Sequence, residues 1–158
     1  MKRITTILFA LFIGSVTAQE VAFQKFYTVN KDKSTFSINL SASLAGSFLD
    51  DEKDGDLMNI IKKSSDFQVM IFDNKDNTIS KDFKKFTKKN QLKTFARIKD
   101  NGSKAEMFFI EKDNYITEII IRTNSNDDKL VLFGLKTKIT KDELAAMISS
   151  SDINISSN

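Results

Sequence analysis

Asp50, Glu52, Asp54 and Gly55 stand where positions 1, 3, 5 and 6 of a calcium-binding loop would fall. They lie in the turn DDEKDGD, which opens with Asp50 and closes with Asp56. Alternate acidic side chains ahead of a glycine bend can wrap oxygen ligands around a hard cation. The last position of such a loop needs a bidentate glutamate, and Ile61 stands there instead. The expected reading is therefore a solvated acidic turn, with no metal ligand assigned. A second cluster is basic: Lys81, Lys84, Lys85, Lys88 and Lys89 crowd one short segment. That spacing suits the solvated face of a helix. Its sharper alternative is a surface for anionic lipid, polysaccharide or nucleic acid. Asp82 interrupts the run, and Phe83 and Phe86 fall on the opposite, apolar stripe of the helix instead of the basic face, which argues against a binding role of any kind; an envelope location would favour lipid or glycan over nucleic acid.

Catalysis has little to draw on. The chain has no His and no Cys, which excludes a Ser-His-Asp triad, a thiol nucleophile, a disulfide and the usual zinc and iron–sulfur sites. It also lacks Trp and Pro. Two histidine-free chemistries stay open on paper. A carboxylate pair could hydrolyse a glycosidic bond, but the acidic residues here gather at turns. A Ser-Lys dyad could supply nucleophile and base, but the Ser-x-x-Lys spacing never occurs. We expect no catalytic residue, no cofactor and no bound metal.

Hydropathy patterns name the elements that must position these groups. Residues 21–27 place Phe23, Phe26 and Tyr27 at helical spacing, and residues 79–91 place Ile79, Phe83 and Phe86 in one narrow stripe. Thr78 or Ser80 is expected to cap that second helix. Short helices are also read over 42–49 and 57–61. Residues 35–40 alternate, with Phe36, Ile38 and Leu40 on one side, and residues 67–72 form a second strand. Four more strand-like runs follow at 92–98, 105–111, 115–122 and 130–136. Turn residues at hairpin lengths separate them, so an antiparallel four-stranded meander is predicted. A last helix opens at Thr140, with Glu143 completing a capping box and Ile139 poised to staple onto Leu144. Leu144, Met147 and Ile148 supply its apolar face. The sum is an α+β domain: an antiparallel sheet of five to six strands, with helices packed mainly on one face. A mostly parallel sheet is the weaker alternative, since the second half lacks crossover helices.

The ends read differently. Residues 1–18, MKRITTILFALFIGSVTA, have the charged start, short apolar centre and small-residue cleavage site of a secretory signal. The apolar run is too short for a spanning helix. Cleavage would start the mature chain at Gln19, as a single domain over 19–148 with a polar tail at 149–158. The product is expected to be soluble in the periplasm or outside the cell. The 158-residue chain carries 24 basic and 21 acidic residues, net +3; without Lys2 and Arg3 the count is 22 to 21, net +1. A near-neutral mature chain gives a nucleic-acid partner little support.

The meander holds one more clue. A sheet with one wet face alternates cleanly, whereas residues 107–110 (MFFI), 119–121 (III) and 131–133 (VLF) put apolar side chains on both faces. Something must cover the second face. The chain's own N-terminal or C-terminal helix is the plain candidate; a homodimer or an apolar ligand is the sharper one.

The segments FQKFYTVNKDKSTFSINLSASLAGSFL, SDFQVMIFDN, SKAEMFFIEKDNYITEIIIRTN and LVLFGLKTKITKDELAAM resemble, in pattern and order, a family of exported bacterial proteins called domain of unknown function 4252. The likeness covers about residues 23–148 and is most specific over 104–147. It implies one fold unit and export, and brings no catalytic residues with it. Family members often look like lipoproteins, whereas this chain has no Cys to carry a lipid. The expectation is an exported, non-catalytic binding or accessory module of the cell envelope. Its alternatives are a carboxylate hydrolase and a self-associating structural protein.

Overall fold

The computed structural model describes residues 21–41, 43–44, 47, 62–100, 102–124 and 128–149. The expected leader, the calcium-like turn at 50–56, the helix over 57–61, most of the helix over 42–49 and the tail beyond 149 lie outside them.

Six strands form one antiparallel sheet in the order β1-β2-β6-β5-β4-β3. They are β1 (Phe36–Ser41), β2 (Ser64–Asp73), β3 (Lys93–Asp100), β4 (Ser103–Lys112), β5 (Tyr115–Asn124) and β6 (Lys129–Ile139). Three α-helices lie wholly within the described residues: α1 (Ala22–Asn30), α2 (Thr78–Lys89) and α3 (Lys141–Ser149). The meander β3 to β6 is as expected, and turn chemistry explains it. Gly102 has φ 86°, while Asp113 and Asn114 have φ 52° and 66°, the paired left-handed residues of a two-residue hairpin turn. Strand β2 then pairs with β6, so α2 carries the chain over one sheet face to the far edge.

Both faces of the sheet are dry near the centre, as the apolar runs require. On the first face Phe108, Ile120 and Leu132 meet Phe23 and Phe26 of α1 and Phe83 and Phe86 of α2. Phe26 and Phe83 meet edge to face, with ring centroids 5.8 Å apart, and Phe83 meets Phe108 at 5.7 Å. Such pairs add about 0.5–1.5 kcal/mol each beyond the area they bury. On the second face Phe109, Ile116, Ile119, Leu135 and Ile139 pack with Leu144 of α3. Among the described residues, the helix that packs on this face is thus the chain's own C-terminal one, while α1 and α2 share the other face.

The α3 start forms as its sequence demands. The Thr140 N–H donates to Glu143 Oε2 at 2.8 Å, and the Glu143 N–H donates to Thr140 Oγ1 at 3.2 Å. Lys63 Nζ donates to Glu143 Oε1 at 2.7 Å. That bond and the Thr140 N–H hold the carboxyl down at about 2.

One expectation needs correction. Neither Thr78 nor Ser80 caps α2, because the helix begins at Thr78 and both residues lie inside its first turn. Their N–H groups therefore need acceptors. Asp76 Oδ1 serves Thr78 at 3.0 Å and Asn74 Oδ1 serves Ser80 at 3.2 Å. The β1 strand forms as read, with Phe36, Ile38 and Leu40 on one side; Phe36 is 49 % exposed and the other two are half-buried. An edge strand has a neighbour on one flank only.

Candidate functional site

A groove of about 630 Å³ runs between α2 and the far end of the sheet. Helical spacing builds one wall: Lys81, Lys84 and Lys88 share a flank of α2, with Ser80 and Thr87 beside them. Phe83, Leu92 and Phe108 form the floor. Thr94 and Arg97 of β3, Lys104 and Glu106 of β4, and Arg122 of β5 form the other wall. Among the described residues six cationic side chains thus face one carboxylate.

The carboxylate organises its wall. Strand register sets Arg97 opposite Glu106 and Glu106 opposite Arg122, so a cation flanks the acid on each neighbouring strand. Arg97 Nε and Lys104 Nζ reach Glu106 Oε1 at 3.2 Å and 3.1 Å, and Arg122 Nη1 reaches Oε2 at 3.1 Å. Burial pushes the Glu106 carboxyl up. The Lys104 hydrogen bond and the charges of Lys104, Arg122 and Arg97 outweigh that and leave it below the usual carboxylate range. Arg122 also donates from Nη2 to Ser80 Oγ at 3.0 Å, and its guanidinium lies 5.9 Å from the Phe83 ring centre. This clamp ties α2 to β5. The chain has three arginines against 21 lysines, and both of those beyond Arg3 converge on Glu106. A planar fork that bonds a carboxylate and rests on a ring is work a lysine does poorly.

The structure divides the five lysines read from the sequence. Lys81, Lys84 and Lys88 line the groove, and none of them makes an ion pair among the described residues. Lys85 pairs with Asp82 at 3.4 Å, and neither Lys85 nor Lys89 lines the groove. Sequence reading missed Arg97, Lys104, Glu106 and Arg122. The available signal was a charged residue interrupting each apolar strand.

A second cleft of about 440 Å³ contains Glu111 and Glu118, a pair a hydrolase could use. Both are otherwise engaged. Glu111 pairs with Lys93 at 2.6 Å and Lys141 at 2.8 Å. Glu118 accepts the Ala22 N–H at 2.8 Å and the Phe23 N–H at 2.9 Å, anchoring the start of α1 to the sheet. Burial raises the Glu118 carboxyl despite those two bonds and the Lys136 charge. The ionised form therefore costs folding stability, which rises as pH falls through the raised value towards the unfolded value of about 4.3. We expect Glu118→Ala to lose about 1–3 kcal/mol in urea unfolding at pH 7, because the buried Phe23 amide is left without an acceptor. Glu118→Gln, which keeps a carbonyl, should stay within about 1 kcal/mol of the parent and lose the pH slope. Equal losses for the two variants would rule out the anchoring role.

Among the described residues no group of three or more His, Cys, Asp or Glu could hold a metal, and no helix is long and apolar enough to cross a membrane. Residues 26–147 match the family model described as Domain of unknown function (DUF4252). The chain belongs to that family. The DUF4252 match runs from Phe26 in α1 to Met147 in α3, so it takes in all six strands and both walls of the groove. No curated protein and no solved structure matches this DUF4252 chain.

Proposed function

We propose that this chain is a non-catalytic binding module, exported to the cell envelope, that takes an anionic ligand in the groove between α2 and the β3–β5 wall. The observation that carries the reading is the segregation of charge. The chain beyond the expected leader is nearly neutral, yet among the described residues the groove sets six cations against Glu106 alone. Cations placed only for solubility would be interspersed with acids, as Lys85 is with Asp82. A groove lined by one sign of charge concentrates ligands of the other sign. Export is supported by the leader read at residues 1–18.

The test is charge reversal on the helical wall. Lys84 and Lys88 are exposed, so Lys84→Glu with Lys88→Glu should leave the melting temperature within about 2 °C. Binding of dextran sulfate, followed by calorimetry in low salt, should weaken at least about tenfold, or roughly 1.4 kcal/mol. The slope of log affinity against log salt should flatten as well. Unchanged affinity in the double variant would remove the groove as the binding surface.

A further inference from the structure

We infer that the ligand of this groove is a linear acidic glycan, with one carboxylate per sugar, laid parallel to α2. The inference rests on the anion-binding reading above and gives it a chemical class. Lys81, Lys84 and Lys88 are three and then four residues apart, so a rise of about 1.5 Å per residue spaces them by about 4.5 Å and 6 Å along the axis. That is a row of charges, matched by a ligand that repeats its own charge along a chain. Across the groove Arg97 and Lys104 have side chains 64 % and 40 % exposed, so cations stand on both rims. Glu106 holds the wall between them with a buried negative charge, and a compact dianion seated there would meet repulsion. Charges strung along the rims avoid it.

The neutral lining separates glycan from nucleic acid. Asn77, Gln91 and Thr94 offer hydroxyl and amide groups, which suit a ligand rich in hydroxyls, while the Ser80 and Thr87 hydroxyls are engaged with Arg122 and the Lys84 carbonyl. The only rings in the lining, Phe83 and Phe108, are 1 % and 8 % exposed, and the Arg122 guanidinium lies near Phe83. Neither offers a base the stacking face on which single-stranded nucleic acid depends.

The experiment is calorimetry on the full chain with galacturonate monomer, trimer and hexamer. Parallel arms use methyl-esterified hexamer, inorganic phosphate and oligothymidylate matched in charge to the hexamer. Expected results are trimer at least about tenfold tighter than monomer, hexamer within about threefold of trimer, and no binding of the ester. Lys81→Ala and Lys88→Ala should each narrow the gap between monomer and trimer. Monomer or phosphate binding as tightly as trimer would overturn the inference in favour of a compact anion site. Oligothymidylate binding as tightly as hexamer would overturn it in favour of nucleic acid. Each of those outcomes leaves the anion groove standing. Failure of every anion to bind, dextran sulfate included, would bring down both readings.

Discussion

Gly134→Ala is expected to lower the melting temperature by about 10 °C. A Cβ at position 134 would lie 1.9 Å from Phe23 Cδ1, 2.3 Å from Cε1 and 2.8 Å from Cγ, well inside van der Waals contact. Gly134 sits mid-sheet, opposite Gln68 on β2 and Ile120 on β5, and its φ is not positive. The requirement is space for a ring, with no special backbone conformation involved. Phe23 has few ways to yield. Its ring stacks on Phe26 at 6.1 Å and meets Phe86 edge-on at 6.3 Å, while its own N–H is held by Glu118. Overpacking of a filled core costs about 1–3 kcal/mol, and a constrained aromatic neighbour puts this site at the upper end. At about 3 °C per kcal/mol for a chain of this size, that is the shift stated. The check is thermal unfolding, repeated in a Phe23→Leu background. There the added methyl should cost less than about 1 kcal/mol, which gives a coupling of about 2 kcal/mol between the sites. A shift under about 2 °C in the parent background would mean that α1 moves freely over the sheet.

Glu106→Gln should separate stability from binding. The substitution keeps the shape of the side chain but leaves Arg122 beside an uncharged amide. Removing one partner of a wholly buried pair costs about 3–5 kcal/mol. Arg97 and Lys104 are solvent-screened, so we expect about 1–3 kcal/mol here, mostly through Arg122, whose side chain is 19 % exposed. The same change removes the one negative charge among the described groove residues, and affinity for an anionic oligomer should rise about two- to fivefold, or up to about 1 kcal/mol. Opposite signs make the result informative: a loss of both stability and affinity would mean that Glu106 shapes the groove and does not merely compete for its cations. A pH signature accompanies this. The folded carboxyl lies below its unfolded value, so its contribution is present above about pH 4.3 and fades as pH falls through the folded value. Glu106→Gln should lack that acid-side slope in urea midpoints.

The groove was half legible. Lys81, Lys84 and Lys88 announce themselves because helical neighbours three and four residues apart share a face. The Arg97–Glu106–Arg122 row does not, because it depends on register across three strands. Counting outward from the hairpin pair Lys112 and Tyr115 sets Glu106 opposite Ile121. A bulge between Ile110 and Glu111 shifts the pairing by one residue and brings Arg122 there instead. A comparable irregularity in the β5–β6 pairing, between Ile116 and Glu118, puts Ile116 in the second core while Glu118 faces α1.

What the chain itself determined is whatever is decided within a few residues. Alternating side chains, the left-handed Asp113-Asn114 turn, the Ile79/Phe83/Phe86 stripe and the Thr140/Glu143 box depend on neighbours two to four positions away. A sheet of five to six strands, the meander and the need to cover both faces followed from them. Tertiary structure alone decided what depends on bulges and on contacts far apart in sequence. It placed the arginines around Glu106, the Phe23 ring in the space left by Gly134, and α3 over the second face. The physical reason is that a one-residue slip inverts every side chain of a strand, and slips are set by packing between distant segments, which local pattern does not encode.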